Sequence, residues 1–167
     1  MRKIKLKNVV SYSKLRSNSK DLNLETYITT DNLLQNKLGV KIANNLPPNG
    51  DSFPKYKKDN ILVSNIRPYL KKIWFANRSG ICSSDVLTFE TQTGFSSKFI
   101  YYNLFQDMFF EHMMKGAKGT KMPRGEKSQI LEFEIPDFPL PVQEKIAEFL
   151  SAIDDKIQLN NNINDNL

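Results

Sequence analysis

Residues 58–90 read KDNILVSNIRPYLKKIWFANRSGICSSDVLTFE, and this stretch is the most informative about the fold class. Three short runs rich in β-branched and aromatic residues lie within it, at 61–66, 72–76 and 86–90. Polar, Pro or Gly residues separate these runs, as expected for successive strands joined by turns. The stretch therefore predicts a curled, barrel-like sheet.

The N-terminal segment extends this β-rich body. Residues 1–20 hold seven Lys and Arg and no acidic residue, interleaved with apolar positions such as Ile4 and Leu6. This alternation predicts a short strand with one apolar and one basic face. A second strand is expected at 25–30, where a polar turn ends it.

The pattern becomes helical after residue 95. Apolar side chains then recur at spacings of three and four, at Phe99, Tyr102, Phe105, Phe109 and Met113. Ser96 or Ser97 is a suitable N-cap and Gly116 a suitable end, so we expect a helix over 96–116 that packs on the core. An exposed basic loop at 116–127 and a last strand at 130–135 should follow.

The C-terminal segment has a second helical pattern, from residue 142 to the end. Its members alternate in spacing between four and three: Ile146, Leu150, Ile153, Ile157, Asn160, Asn164 and Leu167. This heptad seam predicts a coiled-coil-type helix that docks on its own body, on a second copy or on another protein. The sequence thus indicates an α+β chain, with a twisted, barrel-like domain at 1–140 and a long helix at 141–167.

Charge divides the chain in nearly the same place. Residues 1–131 contain 22 Lys and Arg against 10 Asp and Glu, whereas residues 132–167 contain 2 against 8. A basic body attracts phosphates by counterion release, although a solvated basic surface explains the same numbers. The acidic tail suits a basic protein partner better than DNA.

Several classes of protein are disfavoured. Cys82 is the only cysteine and His112 the only histidine, which excludes an intramolecular disulfide and leaves no zinc ligand set. No apolar run matches a signal peptide or approaches the roughly 20 residues of a membrane span. We expect a soluble, cytoplasmic chain that contacts no membrane.

Two segments go beyond composition, namely residues 58–90 and residues 116–164, the second of which includes GTKMPRG at 119–125 and IPDFPLPVQEKIAEFLSAIDDKI at 135–157. Together they resemble the specificity subunits of type I restriction-modification systems. The resemblance implies that 61–76 is a hairpin of a DNA target-recognition domain. It also implies that 119–125 faces DNA and that 135–157 is a conserved boundary and helix.

A full member of that family has two recognition domains and two helical segments, whereas this chain has one of each. The resemblance therefore implies a half-size subunit that pairs as a homodimer to read a bipartite DNA site. The interface residues would be Ile146, Leu150, Ile153, Ile157, Asn160 and Asn164. The alternative is a decoy or regulatory fragment that binds methyltransferase subunits without DNA specificity of its own.

Two clusters are the candidates for contact with double-stranded DNA. The hairpin contributes Ser64, Asn65, Arg67, Tyr69, Lys71 and Lys72, and the glycine-containing loop contributes Lys118, Thr120, Lys121 and Arg124. Arg can bind guanine and Asn adenine bidentately in the major groove, whereas Lys and Ser mostly contact phosphate. A solvated hairpin remains the alternative for the first cluster.

We predict no catalytic residue, metal site or cofactor in this chain. The loop at 119–128 departs from a nucleotide-binding loop by its spacing and by Glu126, and no Gly-x-Gly turn follows a strand to hold a methyl donor. The resemblance implies that methyltransferase subunits bring S-adenosylmethionine. It further implies that restriction subunits, contacted indirectly, bring ATP and Mg²⁺.

Overall fold

The computed structural model describes residues 1–50 and 52–167. The strands of this part are β1 (Lys3–Lys5), β2 (Val10–Tyr12), β3 (Arg16–Ser17), β4 (Phe53–Tyr56), β5 (Ile61–Ser64), β6 (Ile73–Phe75), β7 (Gly80–Ile81), β8 (Val86–Thr91) and β9 (Glu134–Pro136). They form three sheets with the orders β1-β9, β2-β8-β5-β6 and β3-β4-β7, and neighbouring strands are antiparallel. The described strands leave these sheets open, so the α+β class is confirmed and the barrel-like closure is not.

The four-stranded sheet is buried on both faces. Ile61 of β5 pairs with Phe75 of β6 and with Phe89 of β8, as the runs at 61–66, 72–76 and 86–90 predict. Successive side chains of a strand point to opposite faces. Accordingly, Ile61 packs in the larger core beneath the helices, whereas Leu62 packs in a second cluster with Trp74.

The helix predicted over 96–116 is in fact two helices, α1 (Ser97–Leu104) and α2 (Asp107–Lys115). Ser96 is the N-cap, with its hydroxyl accepting a 3.2 Å hydrogen bond from the amide of Phe99, and Gly116 ends α2. Gln106 has an extended backbone and breaks the helix. Asp107 then begins α2, and the positive end of the helix dipole stabilises its carboxylate. The same carboxylate forms an ion pair with Lys37 at 2.7 Å.

Two of the predicted strands differ from the structure. The segment at 25–30 is a loop with one isolated bridge, Ile28 to Cys82. The side chain of Asn32 holds this loop by donating to the carbonyl of Tyr27 at 2.7 Å and accepting from the amide of Thr29 at 2.6 Å. The segment at 130–135 begins at the end of the short helix α3 (Lys127–Ile130), and only its last two residues belong to β9.

The predicted C-terminal helix is present as α4 (Leu140–Asp165). Its first half packs on α1, where Gln143 and Ala147 are buried and Tyr102 donates a 2.7 Å hydrogen bond to Asp154. Residues 155–167 are exposed. No helix among the described residues has the length and apolar character needed to cross a membrane.

Candidate nucleic-acid interface

The fold joins the two segments that the sequence singles out for DNA contact. The backbone of Ile66 bridges to Arg124, and the amide of Arg67 donates to the carbonyl of Pro123 at 2.7 Å. The amide of Gly125 donates to the carbonyl of Asn65 at 3.2 Å. The hairpin and the glycine-containing loop, about 50 residues apart in sequence, therefore form one surface.

The loop at 118–124 is a small hairpin of its own. Lys118 and Arg124 exchange two backbone hydrogen bonds of 2.9 Å, and Gly119 has a φ of +99° that other residues rarely adopt. Pro123 is buried at its base. The loop projects four of the predicted DNA-contacting residues into solvent: Lys118, Thr120, Lys121 and Arg124.

The tip of the 61–76 hairpin lies beside this loop. Arg67 is exposed and has a left-handed backbone with a φ of 50°, and Tyr69 is 51% exposed. Pro68 is buried between them and begins a short 3-10 helix. A cation and an aromatic ring thus extend the exposed surface of the loop.

The other four predicted hairpin residues make internal contacts. Ser64 is 3% exposed and donates to the carbonyl of Ile66 at 3.0 Å, and Asn65 donates to the carbonyl of Gly125 at 3.2 Å. Lys72 donates to the carbonyl of Thr30, and burial lowers the pKa of Lys72. Lys71 is half-buried and pairs with Asp107 at 3.1 Å. These contacts hold the hairpin in place.

Two acidic residues that the sequence analysis missed organise the cations. Asp85 lies 3.4 Å from Arg124, and its carbonyl accepts a 2.8 Å hydrogen bond from the amide of Asn65. Hydrogen bonds from Lys37 and Lys71 lower the pKa of Asp107. Both carboxylates are distant in sequence from the lysine or arginine that they contact. The spacing of residues in the sequence therefore could not indicate these ion pairs.

The predicted helix interface is only partly free. Ile146 and Leu150 are half-buried against the body, whereas Ile153, Ile157, Asn160 and Asn164 are exposed. Further exposed apolar side chains lie on α4 outside the predicted seam: Phe149 at 69%, Leu159 at 59% and Ile163 at 51%. The outer half of α4 therefore leaves a large apolar surface uncovered.

Comparison with known proteins gives concordant matches. The family model described as type I restriction modification DNA specificity domain matches residues 2–167. The specificity subunit of the type I restriction enzyme EcoDI from Escherichia coli is 30% identical over 106 residues, which cover 60% of this chain and 23% of that subunit.

Two solved structures share the fold. The HsdS subunit from Thermoanaerobacter tengcongensis superposes with a TM-score of 0.69 and 16% identity, over 97% of this chain and 44% of that subunit. The type I restriction-modification S subunit from M. genitalium gives a TM-score of 0.64 and 20% identity, over 94% and 40%. This chain spans less than half the length of each of these relatives.

Proposed function

This chain belongs to the type I restriction-modification DNA specificity family, and we propose that it recognises a short DNA sequence for such a system without performing chemistry itself. The observation that carries the proposal is the joining of two distant segments into one exposed basic surface. The contact between Arg67 and Pro123 fixes that junction at 2.7 Å.

The exposed residues divide by the chemistry they offer to DNA. Arg67 and Arg124 have the planar forks that can bind a guanine edge, and Lys118 and Lys121 suit phosphates. Tyr69 and Thr120 add hydroxyl groups that can form hydrogen bonds with DNA. We assign Ser64, Asn65, Lys71 and Lys72 to positioning these side chains, because each makes contacts within the protein.

Removal of the loop cations tests this assignment. The double variant Lys121→Ala, Arg124→Ala should weaken DNA binding and reduce the slope of log affinity against log salt by about 0.9 for each lost phosphate contact. The variant Lys57→Ala, Lys58→Ala removes the same charge from an exposed turn elsewhere and serves as the matched control. A loop variant that binds DNA with the wild-type salt slope would contradict the assignment.

We further propose that the chain is a half-size subunit that pairs through α4 to read two inverted half-sites. Closed two-fold pairing repeats one reading surface in opposite orientations. Light scattering should show a mass near twice 19.3 kDa, which Ile153→Asp reduces to the monomer. Gln158→Asp, on an exposed position of α4 outside the seam, should leave the dimer intact. A monomeric wild-type chain would refute this pairing.

The same helix is proposed to dock methyltransferase subunits. In such a complex S-adenosylmethionine would be held by those subunits, and ATP and Mg²⁺ by restriction subunits that this chain contacts indirectly. A pull-down with the cognate methyltransferase subunit tests the docking. Capture of that subunit together with equal affinity for all DNA duplexes would favour a decoy fragment instead.

A further inference from the structure

A second basic feature lies where the chain crosses from the four-stranded sheet to the three-stranded sheet. A cleft of about 170 Å³ opens there, and its lining includes Tyr12, Arg16, Lys55 and Thr88. Because a water molecule occupies about 30 Å³ of the liquid, the cleft admits a group several times that size. Val86 and Leu87 contribute apolar parts of its wall.

The polar wall of the cleft is strongly positive. Its cations are Lys14, Arg16, Lys55 and Lys127, and its hydroxyl groups come from Ser13, Ser84 and Thr88 together with Tyr12. Among the described residues, no Asp or Glu lines the cleft. The ion pairs of the described residues involve none of these four cations. Arg16 donates to the hydroxyl of Ser52 at 2.6 Å, and the ammonium of Lys127 lies 5.7 Å from the centre of the Tyr12 ring. Among the described residues, the ammonium groups of Lys14 and Lys55 make no ion pair, and cations at a concave site without a counter-charge attract an anion.

Backbone contacts hold the walls in position. The amide of Ser13 donates to the carbonyl of Thr88 at 2.8 Å, and the amide of Lys55 donates to the carbonyl of Leu15 at 2.9 Å. The hydroxyl of Tyr12 donates to the carbonyl of Lys127 at 2.8 Å. Backbone hydrogen bonds between strands therefore fix the walls of the cleft.

The two carboxylates nearest in sequence to the cleft are already engaged. Asp85 follows Ser84 and lies 3.4 Å from Arg124. Glu126 precedes Lys127 and caps α3, accepting from the amide of Gln129 at 2.8 Å. Hydrogen bonds from Ser128 are the largest cause of the lowered pKa of Glu126. Neither carboxylate lines the cleft, although the charge of Glu126 acts on Tyr12 of its wall and offsets part of the positive charge there. Asp85, through its contact with Arg124, and Glu126, which follows Gly125, connect the cleft to the loop at 118–124.

From this geometry we infer that the cleft binds a backbone phosphate of the DNA whose bases face the loop at 118–124. The inference rests on the proposed DNA-binding function and extends its contact surface beyond both predicted segments. Lys127 follows Arg124 by three residues, and Ser84 precedes the aspartate that pairs with Arg124. The cleft and the loop are therefore neighbours in the fold, and the inference is that one duplex contacts both.

The test is the salt dependence of DNA binding by Lys14→Gln, Lys55→Gln in the full chain. Loss of one phosphate contact lowers the slope of log affinity against log salt by about 0.9. Affinity should fall equally for the preferred duplex and for unrelated duplexes, because phosphate contacts carry no sequence information. Lys14→Arg, Lys55→Arg keeps the charge and should retain the slope, while Lys57→Gln, Lys58→Gln controls for net charge.

The outcomes separate the cleft from the proposed function. Suppose that Lys14→Gln, Lys55→Gln keeps the wild-type salt slope while Lys121→Ala, Arg124→Ala lowers it. The inference about the cleft is then wrong, and the proposed DNA-binding function is unaffected. Absence of DNA binding by the wild-type chain overturns both. If inorganic phosphate shifts the amide resonances of 13–15 but the cleft variant leaves the DNA slope unchanged, the cleft binds a free anion and the inference is wrong.

Discussion

Gly125 allows the close approach of the two segments that we propose face DNA, and Gly125→Ala tests that approach. A Cβ atom at this position would lie 2.7 Å from Oδ1 of Asn65 and 2.9 Å from Cδ1 of Ile130. Both distances are shorter than normal contacts, so either the loop or the side chains of Asn65 and Ile130 must move. Because Asn65 donates to the carbonyl of Gly125 at 3.2 Å, movement strains the bond that joins the segments.

Overpacking of this kind typically lowers the free energy of unfolding by about 1–3 kcal/mol. We expect a loss in that range from urea denaturation of Gly125→Ala. Fluorescence anisotropy should show weaker binding to the preferred duplex and reduced discrimination against unrelated ones. Thr120→Ala is the control, since this exposed residue of the same loop should change stability by no more than about 0.5 kcal/mol. Wild-type stability and wild-type discrimination in Gly125→Ala would refute the reasoning.

Two further predictions concern the body of the protein. Gln143 is 2% exposed, accepts from the amide of Ser96 at 3.0 Å and donates to the carbonyl of Phe138 at 2.7 Å. Gln143→Ala should therefore lower the free energy of unfolding by about 1–3 kcal/mol, measured in urea, whereas an effect no larger than that of Gln158→Ala would contradict this. Burial raises the pKa of the Cys82 thiol to about 11, so alkylation at pH 8 should require unfolding. Rapid labelling of the native chain would show that the site is open.

The elements that the sequence predicts well are those whose local pattern agrees with their packing. Ile61, Phe75 and Phe89 occur in runs of strand-forming residues and pair with one another in the four-stranded sheet. Ser96 is a good N-cap by residue type, and its hydroxyl caps α1. Local propensity and tertiary structure coincide at these positions.

The elements that it predicts poorly depend on distant contacts. The break between α1 and α2 has no Pro or Gly to mark it, and Asp107 at the start of α2 pairs with lysines at positions 37 and 71. Tyr27 and Ile28 look like strand residues, but the side chain of Asn32 and a single bridge hold them in a loop. Tertiary contacts override a weak strand propensity here.

The candidate interface shows the same division. Residue type together with the family resemblance selected Arg67, Lys121 and Arg124, which are exposed and adjacent to the junction of the two segments. The sequence did not indicate that Ser64 and Lys72 bind within the protein, because the carbonyl groups that accept their hydrogen bonds are brought close only by folding. The cleft cations come from three separate segments of the chain, so no motif in the sequence indicated that they lie together.

The central claim, that this chain directs a type I system to a DNA sequence, is tested most directly by selection from a pool of randomised duplexes. The full chain would be used alone and together with its methyltransferase subunit, at a salt concentration high enough to suppress nonspecific binding. The account predicts enrichment of a short motif repeated in inverted orientation about a spacer of fixed length. Retention of DNA without enrichment of any motif in either experiment would contradict it.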